Sequence, residues 1–195
     1  MSLKARLAAA VAEANLLKER LVAEQAGQVE EAARLLAGTL EGGGKILLFG
    51  NGGSAADAQH LVAELVGRFA EERRALAAVA LTADPATLTA LGNDYGYERV
   101  FARQIEALAR AGDVLFAIST SGNSANVVRA AETARAQGCS VVALTGAGGG
   151  QLARHADVIV RAPATVVARI QEVHALCIHA VVATLDERIR DRGGI

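Results

Sequence analysis

The sequence predicts an α/β fold. A five-stranded parallel sheet carries helices on both faces, a three-layer α/β/α arrangement, and a long N-terminal helix precedes it. Three observations carry this expectation. Strand-length apolar runs alternate with alanine-rich segments after residue 44. The runs at 45–49 and 114–118 are apolar along most of their length, as strands covered on both sides are. Residues 3–40 contain no proline and are dominated by alanine, leucine and glutamate, so they read as one helix.

In that helix Val22, Val29, Ala33 and Leu36 recur at roughly helical spacing, and Glu41-Gly42-Gly43-Gly44 stops it. Residues 45–49 form the first strand and 54–68 the helix after it. Residues 75–81 form the second strand, followed by a short helical stretch near 85–91 and a helix at 97–111. The third strand is 114–118, followed by a helix at 124–137. The fourth strand is 140–145, followed by a short helix at 148–155, and the fifth is 158–160. A long helix, 165–192, closes the chain. The 195 residues suffice for one domain with a sizeable core, residues 1–40 serving as its helical oligomerisation segment.

Composition narrows the function. The formal charge of −1 gives no footprint for nucleic acid or an anionic membrane surface. No run reaches membrane-spanning length, and the N-terminus has no basic-then-apolar signal pattern. Cys139 and Cys177 belong to no metal-spaced or CxxC pattern, so buried free thiols in a reducing compartment are expected. The chain therefore reads as soluble and cytoplasmic.

Two strand-to-helix turns carry the chemistry: Gly50-Asn51-Gly52-Gly53-Ser54 and Ser119-Thr120-Ser121-Gly122-Asn123-Ser124. Each places backbone N–H groups and a positive helix end at the carboxyl edge of the sheet, a natural anion site. Hydroxyls without a lysine suit a phosphomonoester on a small molecule rather than a nucleotide triphosphate. A serine-rich helix cap is the simpler alternative, yet a cap needs only one such residue.

The titratable candidates sit on helices. His60 and Glu64 are four apart and share a face, as a surface ion pair or as functional groups. Gln171 and His179 lie within a quarter turn of each other, two turns apart, on an otherwise apolar helix. They are either polar groups satisfied within the core, or metal-bound or catalytic. His174 points about 140° away from His179 and reads as a supporting or structural residue, and His155 as a surface one.

The run from Gly50 to His60, Gly92-Asn93-Asp94, the loop from Ser119 to Ser124 and Arg169-Ile170-Gln171-Glu172-Val173-His174 occur in this order. Together they resemble a sugar isomerase (SIS) domain of the phosphoheptose isomerase family, over essentially the whole chain. The resemblance implies aldose–ketose isomerisation of sedoheptulose 7-phosphate to D-glycero-D-manno-heptose 7-phosphate through an enediol(ate), in the biosynthesis of heptose precursors for lipopolysaccharide or S-layer glycans. It places catalysis on Glu64 and His179. It makes His60, Glu64, Gln171 and His179 ligands of one zinc ion per subunit. It gives substrate contacts to Asn51, Gly52, Gly53, Ser54, Glu64, Arg68, Asn93, Asp94, Ser119, Thr120, Ser121, Ser124 and Gln171. For Asn93 and Asp94 a plain turn before Tyr95-Gly96 competes; for Arg68, placed to pair with a substrate hydroxyl or with Asp94, a solvated helix end does. It also implies a homotetramer with the active site between subunits. A protein-binding SIS module of the replication-initiator-associating type shares much of this pattern without the complete acid/base set, and an SIS isomerase of another sugar phosphate is a further alternative.

Overall fold

A computed structural model describes residues 1–191. All five strands are parallel, in the order β2-β1-β3-β4-β5. They are β1 (Ile46–Gly50), β2 (Ala78–Ala80), β3 (Val114–Ser119), β4 (Ser140–Thr145) and β5 (Val158–Arg161). The helices are α1 (Leu3–Glu41), α2 (Gly53–Val66), α3 (Pro85–Tyr95), α4 (Ala102–Leu108), α5 (Ala125–Ala136) and α6 (Val167–Asp191). The expected end of the last helix, at residue 192, lies outside the described residues.

The side chains of β1, β3 and β4 alternate between two cores. Ile46, Leu48, Phe116, Ile118, Val142 and Leu144 join residues of α1, α2 and α6. Leu47, Phe49, Leu115, Ala117, Val141 and Ala143 join residues of α4 and α5. Both faces are covered, so β1 and β3 are buried at every position. This is the three-layer arrangement expected. The strand order reverses beside β1: the chain leaves it for β2 on one side, then returns on the other as β3. The loops after β1 and β3 therefore flank the crevice where open parallel sheets bind ligands.

Three elements are shorter than the sequence implies. The second strand spans three residues instead of 75–81, because it lies at the sheet edge and pairs only with β1. The helix expected at 97–111 divides into a 3-10 turn, Tyr97–Arg99, and α4. The helix expected at 148–155 is a 3-10 turn, Gln151–Arg154. Conversely, α3 runs to Tyr95, started by Asp84, whose Oδ1 accepts from Ala86 N and Thr87 N at 3.0 and 3.1 Å, with Pro85 in the first turn.

The N-terminal segment serves two purposes. Ala32, Ala33 and Leu36 are fully buried in the chain's own core, together with Leu17 and Leu21. Leu3, Leu7, Val11 and Val22 stand exposed, so Val22 belongs to the outer face. The helix is bound to its own domain at discrete points. Arg169 donates to Ala10 O at 2.9 Å, Arg20 to Pro163 O at 3.3 Å, and Arg161 N to Gln25 Oε1 at 3.0 Å. Among the described residues no helix is long and apolar enough to cross a membrane. Cys139 and Cys177 are free and buried.

His174 fixes α6 to the sheet. Its Nε2 donates to Thr145 O at 3.1 Å, and its Nδ1 is buried without a hydrogen-bond partner among the described residues. The ring is fully buried, and burial pushes its pKa down to about 4, the bond to Thr145 opposing. Unfolded, it titrates near 6.5. Between these values the unfolded chain binds more protons, so stability falls as pH drops below about 6.5 toward 4, by up to about 1.4 kcal/mol per pH unit. His174→Gln keeps an N–H toward Thr145 and removes the titration. Urea unfolding at pH 7 and pH 5 is expected to show a pH-dependent loss smaller by about 1–2 kcal/mol in the variant. Equal losses in the two proteins would place the titration elsewhere.

Candidate active site

The hydroxyl loop is a closed, braced structure. Gly122 adopts φ +65°, and a Cβ there would lie 2.1 Å from Gly149 O, so only glycine lets the two loops meet. Leu152 N donates to Gly122 O at 2.9 Å and Gln151 N to Asn123 Oδ1 at 2.9 Å, locking the loop to the segment after β4. Within it, the Ser119 and Ser124 hydroxyls pair at 3.2 Å, and Ser121 Oγ accepts from Asn123 N at 3.1 Å. Ser124 is the N-cap residue of α5 yet spends no side-chain bond on capping, and Gly52 opens α2 without one. Both helix N-termini thus keep donors and positive dipole ends for an anion.

The glycine loop is anchored by a residue that the sequence reading omits. Asn51 and Asn126 exchange reciprocal amide bonds, each 2.9 Å, and Tyr97 Oη donates to Asn51 Oδ1 at 3.1 Å. Asn126 is buried. The sequence shows only an amide in the first turn of an alanine-rich helix, directly after the hydroxyl loop, with nothing that marks it as buried. With the Asn51 side chain engaged, the loop offers backbone to a ligand. Ser54 is buried below it, whereas Gly52 and Gly53 are exposed.

The titratable groups meet where α2 packs on α6. His60 Nε2 lies 3.1 Å from Glu64 Oε1 and 3.4 Å from His179 Nε2. The imidazole planes of His60 and His179 meet edge to face with centroids 5.1 Å apart, and Phe69 stacks on His179 at 5.6 Å. Gln171, two turns before His179 on α6, lies against the start of α2: a Cβ on Gly53 would fall 2.2 Å from its Nε2. All four expected residues therefore lie along one helix contact. Asp57 lies on the same helix as His60; its Oδ2 is buried without a hydrogen bond among the described residues. Burial raises its pKa, with the charge of His60 opposing.

The remaining expected residues take no part in these hydrogen bonds. Asn93 and Asp94 occupy the last turn of α3, exposed and bonded to each other at 2.7 Å. Arg68 follows α2 and approaches Glu72 at 3.9 Å, rather than Asp94. A concavity of about 680 Å³ lies at the opposite edge of the sheet, but its Lys45 and Asp113 are paired at 2.5 Å and its lining contains none of the expected residues.

A zinc ion bound at about 2.0–2.2 Å in a tetrahedron sets its ligand atoms about 3.3–3.6 Å apart. The two contacts of His60 are of that order. One ring nitrogen carries either an N–H or a lone pair, so His60 Nε2 alone cannot satisfy both Glu64 and the Nε2 of His179. A cation among the three atoms would. Among the described residues no three His, Cys, Asp or Glu side chains are arranged to hold a metal ion; the set fits zinc in donor type, and binding would require the side chains to rotate together, Gln171 included.

The SIS domain family profile matches residues 11–146. The chain is similar to the phosphoheptose isomerase of Thiobacillus denitrificans, 55% identical over 164 residues that make up 83% of each chain. The chain belongs to the phosphoheptose isomerase family of SIS domains. Among solved structures, phosphoheptose isomerase GmhA from Neisseria gonorrhoeae matches with a TM-score of 0.90 at 48% identity, covering 95% of this chain and all of that one. A phosphoheptose isomerase from Francisella tularensis matches with a TM-score of 0.92 at 37% identity, covering 96% of this chain and all of that one. At 95% coverage the likeness extends into α6, which lies outside the profile match.

The approach of Gln171 to Gly53 gives a direct test. In Gly53→Ala the new methyl meets the far end of a flexible side chain, so Gln171 is expected to yield and α2 to stay. A crystal structure of the variant should show Gln171 in another rotamer, with thermal stability nearly unchanged. Gln171 in place with the helix start displaced would show that α2, rather than the side chain, is the softer partner.

Proposed function

We propose that this chain is an aldose–ketose isomerase that interconverts sedoheptulose 7-phosphate and D-glycero-D-manno-heptose 7-phosphate, supplying heptose precursors for surface glycans. The observation that carries the reading is the Glu64–His60–His179 line, with contacts of 3.1 and 3.4 Å, in a chain 55% identical to a phosphoheptose isomerase. That complete acid/base set and the names of the relatives favour an enzyme over a protein-binding SIS module.

In this reading the phosphate sits on Ser119, Thr120, Ser121 and Ser124 and the N-terminus of α5. Asn51, Gly52, Gly53, Ser54, Gln171, Asn93, Asp94 and Arg68 face the sugar, Asn51 and Ser54 acting from beneath the loop. Glu64 takes the proton from C1 of the ketose and returns it to C2 of the enediol(ate). His179 moves the proton between O1 and O2, since a neutral imidazole carries both a donor and an acceptor nitrogen. His60, Glu64, Gln171 and His179 would hold one zinc per subunit, which supplies Lewis-acid stabilisation of the oxygen charge.

The site is open on its own chain, His60 being 42% and Glu64 22% exposed in their side chains. A homotetramer built on α1 and α6 would cover it. The exposed Leu3, Leu7 and Val11 and an apolar groove lined by Leu21, Val22, Ala26, Leu176 and Ala180 support that assembly. One SIS domain over the whole chain, in the cytoplasm, fits the free buried thiols.

Incubation with sedoheptulose 7-phosphate beside fructose 6-phosphate, followed by NMR, tests the substrate. Conversion of the hexose alone would shift the reading to another sugar-phosphate isomerase, and conversion of neither would overturn it. Glu64→Gln is expected to slow exchange of the C1 hydrogen with deuterated water by at least ~10²-fold while binding persists. Near-normal exchange would remove Glu64 from the base role. Zinc measured on the same samples separates loss of a base from loss of a ligand.

The assembly has its own test. One side of residues 17–40 is buried in the chain's own core, so the informative change lies nearer the N-terminus. Leu7→Glu with Val11→Glu is expected to leave a folded chain of lower mass by light scattering, with reduced turnover. A fully active monomer would refute the shared site.

A further inference from the structure

Arg73 sits in the irregular segment between α2 and β2, yet its side chain is only 7% exposed. It spends its donors on two helices at once. Nη2 donates to Glu64 O at 2.7 Å, and Nη1 to Leu65 O at 2.9 Å and Arg74 O at 3.1 Å. Nε donates to Asp186 Oδ1 on α6 at 2.6 Å. The guanidinium thereby caps the last turn of α2, where the helix dipole is negative, adding to the bond that Leu65 O already accepts from Leu76 N. One of the capped carbonyls belongs to Glu64 itself. Asp186 lies seven residues after His179, close to two full turns, so both project from the same side of α6. The same segment carries Phe69, which stacks on His179.

Glu64 and His60 sit on one helix and His179 on the other, so their spacing is set by how α2 rests on α6. A buried ion pair is a poor source of stability, since desolvation offsets its attraction. Asp186 is a half-used partner, its Oδ2 buried without a hydrogen bond among the described residues. Such a pair contributes geometry. We propose that Arg73, held by Asp186, is a positioning residue that fixes the α2–α6 spacing at Glu64, His60 and His179. The consequence for turnover rests on the isomerase reading above; the positioning itself does not.

The test compares Arg73→Lys, Asp186→Asn and the apolar pair Arg73→Met with Asp186→Leu against the wild type as purified. Thermal melting identifies the folded variants. The histidine ring resonances, assigned with His60→Gln and His179→Gln, report the spacing without substrate. In the folded variants the His60 and His179 resonances are expected to move while that of His155 stays. For sedoheptulose 7-phosphate, kcat is expected to fall ~10- to 100-fold with KM within about twofold, the pattern of misplaced reacting groups. Asp186→Asn, which keeps the shape and one acceptor, should fall least. Unmoved His60 and His179 resonances in a folded apolar pair would overturn the proposal, whatever the turnover. A wild type inert toward the heptose phosphate, with the resonances still displaced in the variants, would remove the isomerase reading and leave the positioning standing.

Discussion

The packing of α2 on α6 is the constraint on which the candidate site depends, because every residue expected to act in catalysis or hold a metal is on one of these two helices. Both helices bury one side on the same face of the sheet, α2 through Ala58, Leu61 and Leu65, and α6 through Val173, Ile178, Val182 and Leu185. Their opposing polar residues are thereby brought within hydrogen-bond distance. His60, Glu64 and His179 meet in the middle of the contact, Gln171 and Gly53 near one end, and Arg73 with Asp186 beyond the other. A shift of either helix would disturb all three contacts together.

The second constraint is the sheet. A parallel sheet buried on both faces leaves only its edges for function, and the strand reversal beside β1 puts the glycine loop and the hydroxyl loop on either side of one crevice. The anion site and the proton-transfer groups are then separated along α2. From Gly53 to His60 the helix rises about 10 Å, at about 1.5 Å per residue. This arrangement suits a ligand with its phosphate at one end and its reacting carbons at the other, as in an open-chain sugar phosphate.

The loops themselves are rigid by construction. Gly122 meets Gly149, Asn51 pairs with Asn126, and Leu152 and Gln151 donate back to the hydroxyl loop. Such bracing fixes backbone donors before a ligand arrives, which lowers the ordering cost of binding. By contrast, the His60–Glu64–His179 line is open to solvent on its own chain. In the proposed assembly the exposed apolar residues of α1 would help to cover it.

The strands, the two phosphate-type turns and the shared face of His60 and Glu64 were legible in the sequence. Each follows from local rules: apolar runs of strand length, glycine and hydroxyl residues at turns, and a four-residue helical spacing. The quarter-turn relation of Gln171 to His179 was legible for the same reason. What lay beyond the sequence was every relation across distant segments. The reversal beside β1, the division of α1 into an inward Leu17–Leu21–Leu36 side and an outward Leu3–Leu7–Val11 side, the Asn51–Asn126 brace and the hold of Arg73 on Glu64 and Asp186 join residues with no periodic link. Local propensity fixes which elements form and which face of each is apolar. Only the tertiary packing decides which faces meet, and so which polar groups become neighbours.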